Sequence, residues 1–311
     1  MGHRVARRRW ALAVVAMAGA FLVAASASAG GSPPEGPALE TMPLATSDFA
    51  RGAAVTREGF LPVSSLLVAK YARYFAPGAR LGGQRLLSVA ALVDLFGDAG
   101  TASSGLNATR VAFGAPAGRQ AFAQQLRDEI SGSTNGRVRV KSVSFGPVIS
   151  LQAGQGSFRL KIKIRTTIGP IESAVAAIVV DRAIGLIDLD SYPRKHVAAS
   201  TAVLAAQKLA QHFQLAFKIR DITTPAILGT PQRGSTLTAD RGRWAGGPTA
   251  FTYQWNHCDA AGANCAPIPG ATGQTYVPGA TDAGMTLSVA VTATNSVSSA
   301  VISSRASAPV S

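Results

Sequence analysis

Residues 137–145 read RVRVKSVSF and residues 157–168 read SFRLKIKIRTTI, an alternation of polar and apolar side chains with period two. Only an extended strand sends successive side chains to opposite faces. The pattern therefore predicts two strands that bury Val138 and Val140, then Phe158, Leu160, Ile162 and Ile164. Gly169-Pro170 turns the chain into IESAVAAIVVD (171–181), and RAIG leads into LIDLDSY (186–192). Parallel strands need crossovers of roughly a dozen residues or more. The connections here are too short for that, so the four strands are expected to form an antiparallel sheet.

Helical periodicity surrounds them. Val63, Leu67, Tyr71 and Tyr74 share a helical face, which predicts a helix over 63–75. The run 85–96 sits between Gly82-Gly83 and Gly97 and reads better as a buried strand. Ala99, Ala102, Leu106, Arg110 and Phe113 predict a helix over 98–113. Pro116 opens another, with Phe122, Leu126 and Ile130 four residues apart. A last helix is expected from about Pro193 to Phe217, with His212 on its face. Together these give an α+β domain over 47–221, an antiparallel sheet with packed helices. From residue 222 charged residues thin out and short strands recur at 235–239, 251–257, 273–277, 285–294 and 297–304, the pattern of an all-β sandwich over 222–311.

The first 29 residues have the three parts of a secretory signal: Arg4, Arg7, Arg8 and Arg9, the apolar run 11–25, and ASA at 27–29 before Gly30. Cleavage after Ala29 and a secreted or envelope location are expected; an uncleaved N-terminal anchor is the alternative. The Pro/Gly-rich stretch 30–46 reads as a linker. The chain carries +14, and loss of the signal leaves +10, of which +9 falls in 30–221 and +1 in 222–311. An electrostatic partner would then be anionic and meet the α+β domain.

Both cysteines, Cys258 and Cys265, flank the turn-forming DAAGAN. In an oxidising compartment they are expected to pair as a disulfide. A zinc site would need three or four ligands, and neither a second Cys pair nor a third ligand is at hand, so no metal is expected. The segment 225–305, with its Trp244, YQW (253–255), paired cysteines, IPGAT (268–272), the strand at Tyr276, and DAG before VAVTATN, resembles the immunoglobulin-like repeat of exported actinobacterial proteins. That resemblance implies a β-sandwich with a spacer or adhesive role. The order of elements and the hairpin VDRAIGLIDL (180–189) of the first domain are similar to the PsbP-type α/β/α sandwiches of mycobacterial lipoproteins and kinase ectodomains, without the lipidated cysteine of the lipoproteins.

One cluster stands out chemically. Arg137, Arg139 and Lys141 alternate on one strand and Arg159, Lys161, Lys163 and Arg165 on the next, so two neighbouring strands would gather seven cations on one face. Any half-exposed strand shows such alternation, with Asp188, Asp190 and Glu172 as counter-charges. The functional reading is a patch for an anionic cell-wall polymer or membrane surface. Nucleic acid is disfavoured, because no aromatics for base stacking interleave these cations. Asp188 and Asp190 alone are too few oxygens for a calcium site. His196, beside Lys195 at a helix start, reads as a frayed first turn. No nucleophile elbow, carboxylate pair for glycoside cleavage or phosphate-cradling loop is present, so no catalytic residues and no cofactor are expected. The reading is a non-catalytic envelope protein with a ligand-binding α+β domain and an immunoglobulin-like module. A purely adhesive spacer and a cryptic wall-polymer hydrolase are the alternatives. No oligomeric state is specified.

Overall fold

The structure is a computed structural model; it describes residues 36–311 except 51–52, 64 and 192–194, and excepting the side chains of 129 and 133. The signal reading over 1–29 and the first linker residues lie outside the described residues. The chain divides into two compact units, Ala38–Ala216 and Phe217–Ser311.

In the first unit β1 (Val55–Phe60) and β2 (Leu67–Phe75) are followed by a small hairpin, β3 (Arg80–Leu81) and β4 (Gln84–Arg85), and by β5 (Ser88–Phe96). Helices α1 (Ala99–Gly114) and α2 (Pro116–Ser133) come next, then β6 (Val140–Phe145), β7 (Ile149–Ser150), β8 (Gly156–Thr166), β9 (Gly169–Val180) and β10 (Ala183–Asp190), and α3 (Ala199–Ala216). The main sheet runs β1-β2-β5-β10-β9-β8-β6, with β7 also on β8, and its pairings are antiparallel. Mixed helices and a large antiparallel sheet make this an α+β unit.

The two faces are covered differently. On one, Leu106 and Phe113 of α1 and Phe122, Leu126 and Ile130 of α2 pack on Phe158, Leu160, Ile162 and Ile164 of β8 and on Val175, Ala177, Ile184 and Leu186. On the other, α3 lies over β9 and β10. Gly185 on β10 makes this approach possible, for a Cβ there would stand 2.6 Å from Leu209 Cδ2 and 2.8 Å from Phe213 Cζ. Asp98 caps α1 by accepting from Thr101 N at 2.8 Å, and Pro116 starts α2.

The helix expected over 63–75 is a strand instead. β2 lies between β1 and β5, and Leu67, Ala69, Tyr71, Ala72, Tyr74 and Phe75 are all buried. A strand covered on both faces loses clean period-two alternation, and here the remainder mimicked helical spacing. Its Val, Tyr and Phe content suits a sheet. The stretch read as linker also differs: Leu39, Met42 and Leu44 are fully buried, and Arg73 donates to the carbonyls of Glu40 (2.9 Å) and Leu44 (3.2 Å). Apolar residues on a single 3-10 turn (Leu39–Thr41) and the chain after it can dock without a periodic run, which leaves no signature in spacing.

The second unit, among the described residues, has one 3-10 turn (Ala280–Asp282) and the strands β11 (Arg220–Thr223), β12 (Ala226–Leu228), β13 (Leu237–Asp240), β14 (Arg243–Ala245), β15 (Ala250–Cys258), β16 (Ala266–Pro267), β17 (Thr275–Tyr276), β18 (Thr286–Thr294) and β19 (Ser299–Ser303). Sheets β16-β15-β18-β19, β12-β13-β17 and β11-β14 contribute to one core around Trp244, Trp255, Leu237, Leu287, Val289 and Val291. Trp255 and Tyr276, from different sheets, stack with centroids 5.5 Å apart.

Candidate functional site

β8 carries Arg159, Lys161, Lys163 and Arg165 on the α3 side of the sheet, because their neighbours Phe158, Leu160, Ile162 and Ile164 are consumed by the α1–α2 core. Lys163 and Arg165 are exposed, and Arg159 and Lys161 are half-buried. Across the ladder on β9 they meet Ala176, Ala174, Glu172 and Pro170, in that order.

The expected second row of cations is not paired residue for residue with this one. β6 begins only at Val140, so Arg137 and Arg139 precede it; Thr167 N donates to the Arg139 carbonyl at 3.0 Å. A register shift between Val140 and Ser142 falls at Lys141. As a result Arg165 stands opposite Ser142 and Lys163 opposite Ser144. Like charges directly opposite one another are destabilising, and the bulge replaces them with serines. Arg137, Arg139 and Lys141 remain exposed, and only the four cations of β8 are held along one regular strand.

Its counter-charge is Glu172 alone among the three acids expected. Glu172 Oε1 accepts from Lys161 Nζ (3.1 Å) and Val197 N (3.2 Å), and Oε2 pairs with His196 Nδ1 at 2.7 Å. Burial opposes ionisation of this carboxyl, yet the hydrogen bonds from His196 and Lys161 hold it below its ordinary pKa. Its partners Lys161 and His196 each line a separate cleft. One, of about 320 Å³, is lined by Ser144, Phe145, Ile149, Arg159, Lys161 and Lys163. The Nε of Arg159 is buried with no hydrogen-bond partner. The loop that walls this cleft is fixed from α2, where Arg119 donates to the carbonyls of Phe113 (2.5 Å) and Gly146 (3.2 Å) and lies over the Phe145 ring. The other, of about 360 Å³, is lined by Gln84, Arg85, Lys195 and His196. Gln84 holds that side together: its Oε1 accepts from Ala198 N and Thr201 Oγ1, both at 2.9 Å, and its Nε2 donates to the His196 carbonyl. His196 is thus an anchored member of a charged cluster, not part of a frayed turn; a glutamine 112 residues away supplied no sequence signal.

Asp188 and Asp190 do not serve as counter-charges. Their register partners Val175 and Ser173 put them on the opposite face, on a central strand, each 1% exposed. Asp190 accepts from Ser88 Oγ at 2.5 Å and from Ser173 Oγ, whereas both oxygens of Asp188 lack a partner. Burial pushes the Asp190 carboxyl up to about 6 against the two serine hydrogen bonds. Burial, with the neighbouring Asp190 charge, pushes Asp188 well above its ordinary value. His212, expected on a helix face, pairs with Asp48 at 3.3 Å, as does Lys208 at 3.2 Å.

In the second unit Cys258 and Cys265 form the expected disulfide, with Cα atoms 4.0 Å apart. His257 turns away from it and bonds Asp282, which also accepts from Tyr276 Oη at 2.9 Å and Gly279 N at 2.5 Å. Burial and then the Asp282 carboxylate push the Tyr276 hydroxyl up to about 12. This buried network ties β15 to β17 and the turn after it. Among the described residues no group of three or more His, Cys, Asp or Glu is placed to hold a metal, and no helix is long and apolar enough to cross a membrane.

No known protein family matches the chain, and no curated protein does. Among solved structures, the chain is similar to the extracellular domain of PknH from Mycobacterium tuberculosis, with 11% identity and a TM-score of 0.36 over 57% of this chain and 98% of that one.

Proposed function

We propose that this is an exported, non-catalytic envelope protein, cleaved after Ala29, whose α+β unit binds an anionic cell-wall polymer or membrane surface through the β8 face. The second unit acts as an immunoglobulin-like module that spaces or anchors it. The observation that supports the binding reading is the row of exposed Lys163 and Arg165 and half-buried Arg159 and Lys161, with a buried Arg159 Nε that has no partner among the described residues. A buried donor without an acceptor costs free energy that an anion in the adjoining cleft would recover. The +9 concentrated in residues 30–221 adds a field that draws polyanions to this unit. The sandwich reading of the second unit is supported by two sheets closing on Trp255 and Tyr276. The test is binding of the secreted chain to an immobilised wall polymer or to anionic vesicles across a salt series. Affinity should fall steeply with salt and vanish when Arg159, Lys161, Lys163 and Arg165 are replaced by Gln or Thr. Salt-insensitive binding, or binding that survives this replacement, would rule the reading out.

A further inference from the structure

The cleft of about 320 Å³ on β8 has two unlike walls. One is cationic, with Arg159, Lys161 and Lys163 projecting from the strand. Glu172 already holds Lys161, at 3.1 Å. Arg159 and Lys163 pair with no acid among the described residues, and the buried Nε of Arg159 has no acceptor. The other wall is apolar: Phe145, Pro147 and Ile149, from the end of β6 into β7. Ile149 stands directly opposite Arg159 in the β7–β8 ladder, so the two side chains leave the sheet on the same face. Ile149 is 38% exposed, and Pro147 is exposed as well. This wall is pinned at both sides. Gly146 N donates to the Lys161 carbonyl at 2.8 Å, and Arg119 of α2 donates to the Gly146 carbonyl at 3.2 Å.

We propose, on the basis of the polyanion reading above, that this cleft takes the phosphodiester headgroup of an anionic lipid. The phosphate lies on Arg159 and Lys163, and the first carbons of the lipid chains lie against Phe145, Pro147 and Ile149. The guanidinium fork of Arg159 matches two phosphate oxygens, and Lys163 adds a second charge. A phosphate there supplies the acceptor that Arg159 Nε lacks. Charge alone does not tell a lipid from a wall polymer, but the apolar wall does. A hydrophilic polyol phosphate leaves Pro147 and Ile149 in water, whereas the junction of glycerol and acyl chains in a lipid removes them from it. Binding at a membrane surface combines these same two contributions, buried apolar area and attraction to anionic headgroups. The membrane is thereby favoured over the polymer as the source of the anion, and Ile149 is a specificity residue.

The test titrates the full chain, at one fixed salt concentration, with two monomeric probes of equal charge. One is short-chain phosphatidylglycerol below its micelle concentration; the other is glycerophosphoglycerol, the same headgroup without acyl chains. The lipid should bind about fivefold to tenfold tighter. Arg159→Gln should weaken both probes by about tenfold. Ile149→Ser should weaken the lipid alone and close most of the gap. Val301→Ser, which removes exposed apolar surface from the second unit, should change neither. Equal affinities for the two probes, or a gap that survives Ile149→Ser, would overturn the lipid assignment and leave the polyanion reading standing. So would binding of poly(glycerol phosphate) by a chain that takes up neither monomeric probe. No binding of lipid, headgroup or polymer would overturn both. Ile149 is exposed on a short strand, so Ile149→Ser still decides if Arg159→Gln lowers the thermal unfolding midpoint.

Discussion

Asp188 and Asp190 project from the same buried face of β10, and only Asp190 has hydrogen-bond donors, Ser88 and Ser173. Two carboxyls in this setting cannot both ionise cheaply. Their folded pKa values are raised, Asp190 from 3.8 up to about 6. Above pH 3.8 the unfolded chain releases these protons while the folded chain keeps them. The pair's contribution is therefore fully present below that pH and is lost as pH rises through the raised folded values, about 6 for Asp190. Glu58, Glu172 and Asp282, whose pKa values are lowered, work in the opposite sense. The pair's effect is accordingly read as a difference between proteins. Asp188→Asn should gain stability relative to the unmodified chain as pH rises from 4 to 7, measured by denaturant unfolding at each pH. A difference independent of pH would show that the pair is not protonated in the fold.

The contact of α3 with the sheet depends on the missing side chain at Gly185. Gly185→Ala should destabilise the protein by about 1–3 kcal/mol, since the new methyl overlaps Leu209 and Phe213. Leu209→Ala is itself destabilising at this buried position, but combined with Gly185→Ala it should give a loss smaller than the sum of the two. Denaturant midpoints of the single and double variants give the answer, and additive losses would mean that the two residues do not meet.

Lys70 of β2 and Asp94 of β5 form an ion pair of 3.3 Å with side chains 11% and 3% exposed. Burial raises the Asp94 pKa and Lys70 opposes this. Lys70→Met should cost about 3–5 kcal/mol by leaving the carboxylate buried without its cation, whereas Lys70→Met with Asp94→Leu should restore most of it. A double variant no more stable than the single one would show that the ion pair itself, rather than the orphaned charge, governs stability here.

Cys258 and Cys265 close a loop of sequence separation 7. Non-reducing peptide mapping should find them joined, and replacing both by Ser should cost about 2.5 kcal/mol on the chain-entropy scale. Binding to polyanions should be unchanged, because the basic row belongs to the other unit. Loss of binding in this variant would relocate the site to the second unit.

The alternation of β8, the antiparallel succession β6, β8, β9 and β10, the three helices and the cysteine pairing were legible before any packing was known. Each rests on a local rule: side-chain period within one strand, short connections, helical spacing in α1 and α2, and two thiols across one turn. The sequence by itself determined that Arg159, Lys161, Lys163 and Arg165 share a face, because period two is intrinsic to a strand. Tertiary structure decided what lies against that face. Where β6 bulges, which acid meets the cations, and where α3 begins depend on register and packing between segments, and none of these has a signature in spacing. Asp188 and Asp190 show the limit most clearly. Their period-two spacing gave a common face, but whether that face was solvent or core depended on α1 and α2 covering it, so residues that look like surface charges lie beneath helices. β2 was hidden for a related reason, since six of its nine residues are buried without regular alternation and Leu67, Tyr71 and Tyr74 among them fall at helical spacing.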